Sequence, residues 1–259
     1  MILLAILMGT LVAGIGSVWL AALLSFGALA RYTQHMLSLA AGALLATAFM
    51  HLLPEAFESD ARAQSLFMVL LVGLIFFFLL DKAELWHHGH EHHQHTDDTA
   101  NPHLHEHAPI AGSWAVLTGD SVHCFGDGVL IASAFMADMR LGVIASLAVL
   151  AHEVPHHMGD LLVLRAGASN RHAAFVKVSV AGAVTSRGGL LGYWLVEQLR
   201  DYLPYFLVLA SSSFVYVALA DLIPQLQKRL TARETIAQIA WLLTGIALVT
   251  LVSGLAHTH

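Results

Sequence analysis

Long apolar segments dominate this sequence and constrain its fold more than any other feature. A helix needs about 20 mostly apolar residues to cross the hydrocarbon of a bilayer. Eight segments meet or approach that length: residues 2–30, 36–57, 65–85, 110–137, 141–165, 172–199, 203–226 and 235–256. Only 12% of the 259 residues are charged and 57% are hydrophobic, so the chain lacks the charge that covers a soluble domain. The sequence therefore predicts an all-α polytopic membrane protein, with one domain of eight transmembrane helices over residues 1–259.

The rest of the composition excludes other classes of protein. The one cysteine, Cys124, rules out an internal disulfide and a CxxC site. The 12 basic residues form no cluster, so no nucleic-acid partner is expected. The first segment has no basic n-region and is about twice as long as a signal-peptide core, which predicts a retained spanning helix.

The basic residues also predict the orientation of the eight crossings. With both termini outside, Arg62, Arg140 and Arg200 flank outer helix ends, and Arg187 lies within a span. The other eight then flank cytoplasmic ends: Arg31, Lys82, Arg165, Arg171, Lys177, Lys228, Arg229 and Arg233. Because cytoplasmic loops carry the excess of lysine and arginine, we expect the termini outside and residues 86–109 in the cytoplasm. The expected location is the inner membrane of a prokaryote.

Two similar segments indicate an internal repeat. The second span contains His51-Leu52-Leu53-Pro54-Glu55, and the seventh contains Asp221-Leu222-Ile223-Pro224-Gln225. Eight crossings make these two spans run in opposite directions, as an inverted repeat of helices 1–3 and 6–8 around helices 4 and 5 requires. Chance recurrence of a helix end that contains proline would give the same pattern.

Spans four and five carry the residues with metal chemistry. His123 and Asp127 lie four residues apart, as do His152 and His156, and residues at that spacing share a helix face. Two such pairs on facing helices would offer four nitrogen and oxygen ligands, a set that suits Zn²⁺. Ionisable groups at mid-span mark a pathway by default, because leaving them unpaired in lipid costs several kcal/mol. Interhelical hydrogen bonds, worth about 1 kcal/mol each, are the structural alternative.

Pro155 lies inside the same motif and predicts a bend in the fifth helix. Proline cannot donate to the carbonyl of Ala151, which is thereby freed beside His152. A bend there would help expose the ligands to each side in turn. Proline and glycine are also common in spanning helices that have no gating role.

A histidine-rich tract occupies the predicted loop 86–109. Its nine histidines are His87, His88, His90, His92, His93, His95, His103, His105 and His107. Such a tract cannot bury a core and is predicted to be disordered, while imidazoles at this density bind Zn²⁺, Cu²⁺ or Ni²⁺ weakly. We expect it to hold or sense metal in the cytoplasm.

Over the whole chain the sequence resembles the ZIP family of zinc and iron transporters, above all the branch with HNxxDG in the fourth span and HExPHExGD in the fifth. The matching residues run from His123 to Gly128 and from His152 to Asp160. The resemblance implies one transporter domain that imports metal into the cytoplasm, with His123, Asp127, His152 and His156 as the main ligands. It also implies that a second, adjacent metal site would involve Cys124, Glu153 and His156. Zn²⁺ is the expected substrate, with Cd²⁺, Fe²⁺ or Mn²⁺ as alternatives; two or three histidine ligands disfavour Mn²⁺.

The chain departs from the family pattern at three positions. Cys124 replaces the asparagine of HNxxDG, His157 replaces the usual glutamate after the second histidine, and Arg187 stands where a small or acidic residue is expected. His157 remains a candidate metal ligand in place of that glutamate. A guanidinium stays charged, and an unpaired charge in a membrane is costly. We therefore hypothesise that Arg187 pairs with Glu153 or Asp160 in place of a second cation, which leaves one transported metal.

Other functions fit parts of the pattern. His152-Glu153-Val154-Pro155-His156 is a literal HExxH, the zinc motif of metalloproteases, so an intramembrane protease is one alternative. Against it, Pro155 distorts the motif helix, and His123 with Asp127 would crowd the open position of a catalytic zinc, so no enzyme is expected. A metal efflux carrier and a non-transporting metal receptor remain open. Small residues in AGALLATA and AGAVTSRGG permit close helix contacts within or between chains, which leaves a homodimer open.

Overall fold

The computed structural model describes residues 1–25, 33–89, 111–167, 171–226 and 231–256. These residues form eight helical units, with no strand in the described ranges. Five units are single α-helices: α3 (Ala63–Gly89), α4 (Ala111–Ala137), α5 (Met139–Gly167), α6 (Arg171–Gln198) and α8 (Ala232–Ala256). Three contain a π-helical turn: α1 (Ile2–Leu11, Val12–Gly16, Ser17–Ser25), α2 (Thr33–Thr47, Ala48–Leu52, Leu53–Phe57) and α7 (a 3-10 turn Arg200–Tyr202, then Leu203–Tyr216, Val217–Leu222, Ile223–Leu226). The all-α prediction is confirmed.

Five of the described helices are long and apolar enough to cross a membrane. They are Ile2–Leu24, Gln34–Phe57, Ala63–Leu80, Arg200–Ala220 and Ala232–Ser253. Helices α3 and α8 expose large apolar side chains, including Phe76, Leu79, Ile236 and Leu243, as lipid-facing helices do. The chain is therefore an integral membrane protein. Helices α4, α5 and α6 carry more polar residues and fall outside this set, so eight crossings stay a prediction.

Glycines allow helices α4 and α6 to pack at backbone contact. A Cβ atom at Gly128 of α4 would overlap the carbonyl oxygen of Thr185 on α6, and one at Gly188 would overlap the carbonyl of Phe125. Helices α2 and α8 meet in the same way at Gly42 and Gly245. Small residues at these positions are what close packing of helices in lipid requires. The contact fixes which face of α4 turns away from α6.

An apolar cluster holds α1 and α6 against α5. Its buried members are Val18, Ala21, Ala22, Val154, Met158, Leu161, Ala174, Val178 and Ala181. Because Val154 and Met158 lie one turn apart on α5, they define the face of this helix that α1 and α6 cover. The neighbouring face of α5 is therefore turned toward α4.

The two segments of the predicted repeat share a local structure. In α2 a π-helical turn, Ala48–Leu52, precedes an α-helical segment whose second residue is Pro54. In α7 the π-helical turn Val217–Leu222 likewise precedes Ile223 and Pro224. Proline removes one backbone donor, and a π turn is one way to absorb the lost hydrogen bond. The likeness is local, and the inverted repeat of whole helices stays a prediction.

The third helix extends into the segment predicted as a loop. Helix α3 continues to Gly89, so Trp86, His87 and His88 belong to its last turn and not to the irregular tract that was expected from residue 86. Alanine, glutamate and leucine just before them favour helix, and Gly89 suits its end. Residues 90–110, with the other seven histidines of the tract, lie outside the described residues.

Candidate metal centre

The hairpin of α4 and α5 sets the depth of the centre. A single residue, Asp138, joins the two helices, and its Oδ1 accepts hydrogen bonds from the backbone N–H groups of Arg140 (2.8 Å) and Leu141 (3.4 Å). An aspartate in this position caps the start of α5. His123 and Glu153 lie equally far from Asp138 along the chain. Antiparallel helices rise equally per residue, so these two side chains reach the same depth.

The first ligand group consists of His123, Asp127, His152 and Glu153, whose ligand atoms all lie within 4.8 Å of one another. His152 Nε2 is 3.2 Å from Asp127 Oδ2, 3.3 Å from Glu153 Oε1 and 3.3 Å from His123 Nε2. His123 is 27% exposed, and the other three are buried. Two imidazoles and two carboxylates converging on one point are a ligand set that suits zinc.

The second ligand group consists of Asp120, Cys124, Glu153 and His157, all buried. His157 Nε2 is 3.1 Å from Glu153 Oε2 and 3.6 Å from Asp120 Oδ1. The thiol of Cys124 lies 3.7 Å from Asp120 Oδ1, 3.8 Å from Glu153 Oε2 and 3.9 Å from His157 Nε2. This group lies farther from Asp138 than the first and adds a sulfur donor to nitrogen and oxygen.

Glu153 belongs to both groups. Its Oε1 faces His123 and His152, and its Oε2 faces His157 and Cys124. One carboxylate thus joins the two groups, as a bridging ligand between neighbouring cations would.

Three buried carboxylate oxygens in the two groups, Asp120 Oδ2, Asp127 Oδ2 and Glu153 Oε1, accept no hydrogen bond within the part of the chain that the structure describes. Asp127 Oδ2 and Glu153 Oε1 lie beside imidazole nitrogens, at 3.2 and 3.3 Å from His152 Nε2, without forming one. Burying a carboxylate oxygen without a hydrogen bond is costly, and a cation between the carboxylates would compensate that cost. The residues present therefore fit a bound divalent cation at either group.

Outer hydrogen bonds orient two of the imidazoles. Ser17 Oγ of α1 lies 3.0 Å from His157 Nδ1, and the same hydroxyl donates to the carbonyl of Gly14 at 2.5 Å. His152 Nδ1 lies 3.3 Å from the carbonyl oxygen of Ala148, one turn earlier on α5. With Nδ1 held in this way, each ring presents Nε2 to the centre, which is the usual arrangement of ligating histidines.

His156 is the predicted ligand that lies outside both groups. Its ring stacks on that of His123, with centroids 5.5 Å apart and planes at 25°, and its Nδ1 is 3.6 Å from Asp120 Oδ1. The side chain is 37% exposed. The fourth member of the first group is Glu153, and the role of His156 as a ligand stays a prediction.

Asp120 is the residue that sequence reasoning missed. It is buried in the second group, one turn before Cys124 on α4. A carboxylate one turn from a predicted ligand, inside a predicted span, was a signal of the same kind as His123 with Asp127. His157, which departs from the family pattern and is also a predicted candidate metal ligand, lies in this group beside it.

The side chain of Arg187 is exposed. The ion pairs that Glu153 makes with described residues are with His123, His152 and His157, and a pair with Arg187 is not among them. The side chain of Asp160 lies outside the described residues, so a pair between Arg187 and Asp160 stays a prediction.

Pro155 lies inside a continuous helix. Helix α5 runs through this residue as one α-helix from Met139 to Gly167.

The chain matches known proteins of a single family. A family model described as ZIP Zinc transporter matches residues 1–253. The chain is 27% identical to the zinc transporter ZIP13 of Pongo abelii, over 95% of the chain and 77% of that protein. It is 32% identical to the zinc transporter ZIP10 and 36% identical to the zinc transporter ZIP4, both of Homo sapiens, over 54% and 44% of the chain. The matched regions span only 17% and 18% of those two relatives.

Proposed function

The chain belongs to the ZIP zinc transporter family, and from that premise we propose that it imports Zn²⁺ into the cytoplasm through the two ligand groups between α4 and α5. The observation that carries the proposal is the convergence of imidazole, carboxylate and thiol groups from two adjacent helices at one depth. Groups of this kind are expensive inside a membrane and mark ion pathways. The relatives named above are zinc transporters.

The ligand chemistry supports zinc as the main substrate. Imidazole and carboxylate ligands suit Zn²⁺, and the sulfur of Cys124 adds a donor that harder ions bind poorly. Cd²⁺ and Fe²⁺ are further substrates of the same proposal, and Mn²⁺ is the least favoured because it prefers oxygen ligands.

The proposed orientation gives the two groups an order. With the termini outside, the Asp138 turn faces the exterior, so an inward-moving ion meets the first group before the second. The ion would exchange water for His123, Asp127, His152 and Glu153, and would pass to the second group while Glu153 remains coordinated. With this shared ligand the ion would keep a protein ligand throughout the transfer.

The surroundings of the centre also have roles in the proposed transport. Residues 86–109 would receive the released ion in the cytoplasm of a prokaryotic cell, with the chain in the inner membrane. The termini would lie outside, and lipid would cover the exposed apolar faces of α3 and α8. A homodimer is the proposed assembly if chains associate through small-residue faces.

The position of Glu153 bears on the protease alternative. A protease with HExxH needs this glutamate free to act as general base on a zinc-bound water. Here both carboxylate oxygens of Glu153 lie at imidazoles of the ligand groups. The carboxylate is therefore better suited to bind an ion than to move a proton from water.

Zinc uptake into proteoliposomes tests the proposal. Wild-type protein should take up labelled Zn²⁺, and His152→Ala should abolish most of that uptake because a buried ligand of the first group is lost. His172→Ala is the matched control, since His172 is an exposed histidine at the start of α6. Unchanged elution from a size-exclusion column would show that the variants are folded. Full uptake by His152→Ala would overturn the proposed site.

Cells that express the chain test the direction. An importer raises cellular zinc, whereas an efflux carrier lowers it. A fall in cellular zinc that depends on His152 would keep the site and reverse the proposed direction.

A further inference from the structure

Cys124 occupies the middle of the second ligand group. Its side chain is fully buried, and its sulfur lies within 3.9 Å of a carboxylate oxygen of Asp120, one of Glu153 and Nε2 of His157. Asp120 and Cys124 are four residues apart on α4, and Glu153 and His157 are four apart on α5. Two facing pairs of this spacing bring four donors to one point.

A packing role does not account for this environment. Buried cysteines that serve as small apolar residues lie among apolar atoms. A thiol has one proton and can donate it to only one of the two carboxylate oxygens that face the sulfur. The other oxygen then faces the sulfur lone pairs, and Asp120 Oδ2 has no hydrogen-bond partner within the described ranges. A cation among the four donors would remove both costs.

We propose that Cys124 is a metal ligand that determines the metal preference of this transporter, making the second group selective for Zn²⁺ and Cd²⁺ over Mn²⁺. The inference rests on the proposed transport function and adds the basis of its selectivity. Thiolate binds borderline and soft ions strongly and binds Mn²⁺ weakly, whereas carboxylates accept all of them. The metal displaces the thiol proton on binding, and the charge of the bound site is then shared with His157 and two carboxylates.

The chain itself makes the test specific. Cys124 is the sole cysteine, so any sulfur-to-metal signal comes from this residue. Purified wild-type protein in detergent should develop a thiolate-to-cobalt charge-transfer absorption band when Co²⁺ is added as the probe. Excess Zn²⁺ or Cd²⁺ should remove the band, and excess Mn²⁺ should not. Wild-type protein that binds Co²⁺ without this band would overturn the proposal, whatever its transport activity.

Uptake selectivity provides the second measurement. In proteoliposomes the ratio of Cd²⁺ uptake to Mn²⁺ uptake should fall by at least about tenfold in Cys124→Ser, since even outer-shell changes at metal sites cost about that much affinity. Ser133→Ala is the matched control, because Ser133 is buried on the same helix and its hydroxyl donates to the Val129 carbonyl at 2.9 Å. An unchanged ratio in Cys124→Ser would overturn the proposal.

The two measurements separate this inference from the transport function. If wild-type protein shows the charge-transfer band and carries no ion, the proposed transport fails while Cys124 remains a metal ligand. If it carries Zn²⁺ without the band, transport stands and the role of Cys124 fails. The band is measured on wild-type protein, so the test holds even where Cys124→Ser does not fold.

Discussion

Glu153 of α5 meets His123 of α4 with 3.3 Å between Oε1 and Nε2, while the other oxygen of the same carboxylate lies 3.1 Å from His157. These contacts join two ligand groups that the sequence presents as separate pairs of residues. A change at Glu153 should therefore affect both groups together, and a change at any other ligand should affect one.

Glu153→Gln should lower the affinity of both groups for metal. The amide keeps the size of the side chain but removes the charge and one ligating oxygen. We expect zinc uptake to fall more than about tenfold, given that even outer-shell changes reach that size. Isothermal titration with Zn²⁺ would show whether binding at both groups is lost; loss at one group alone would contradict the shared role.

His156→Ala should reduce zinc uptake less than His152→Ala does. His156 is 37% exposed and lies outside both groups, whereas His152 is buried among three ligands of the first. Loss of stacking on His123 removes no ligand atom of either group, so uptake should fall by about tenfold at most, the lower end of the range for an outer-shell change. Side-by-side uptake rates measure this, and equal losses in the two variants would make His156 a ligand.

Ser17→Ala should weaken the second group by releasing His157. The Ser17 hydroxyl lies 3.0 Å from His157 Nδ1 and fixes which ring nitrogen faces the metal. We expect about 10–100-fold weaker Co²⁺ binding in a titration that follows the charge-transfer band. Ser38→Ala is the control, because Ser38 is also buried and its hydroxyl donates only to its own helix, at Gln34. Equal Co²⁺ affinities in wild type, Ser17→Ala and Ser38→Ala would show that Ser17 does not orient His157.

Acid should inhibit zinc uptake. A protonated imidazole has no lone pair for a metal. The ligands must be deprotonated to bind, so protons compete with Zn²⁺, and uptake should fall as the pH is lowered. Initial rates should be measured with equal pH on both sides of the membrane, which removes any proton gradient. A rise in uptake under acid would contradict this competition.

Gly128→Ala should destabilise the protein, and Gly126→Ala should not. A Cβ atom at Gly128 would overlap the backbone of Thr185, whereas one at Gly126 meets nothing within 4 Å. Forcing α4 and α6 apart should cost about 1–3 kcal/mol, as overpacking does. Thermal unfolding in detergent compares the two variants, which differ only in position along one helix. Similar melting temperatures would mean that the two helices do not pack as closely as described.

Much of the fold followed from the sequence because its physical basis is local. Apolar segments of spanning length predicted an all-helical membrane protein. In lipid the backbone must satisfy its own hydrogen bonds, and a helix does so within a single segment. The structure added the single-residue connection at Asp138, which places His123 and Glu153 at one depth. The spacing of four residues predicted that ligands would come in stacked pairs, as they do in Asp120 with Cys124 and in Glu153 with His157.

The tertiary structure decided which polar face of α4 and of α5 points into the metal centre. Each residue turns the helix by about 100°, so His152 with His156 and Glu153 with His157 are equally regular pairs in the sequence. The close contact of Gly128 with Thr185 sets the rotation of α4, and the packing of α1 on Val154 and Met158 sets that of α5. These long-range contacts bring Asp120 into the centre and leave His156 at its margin. Periodicity along one helix reveals which residues share a face, but only the neighbouring helices determine where that face points.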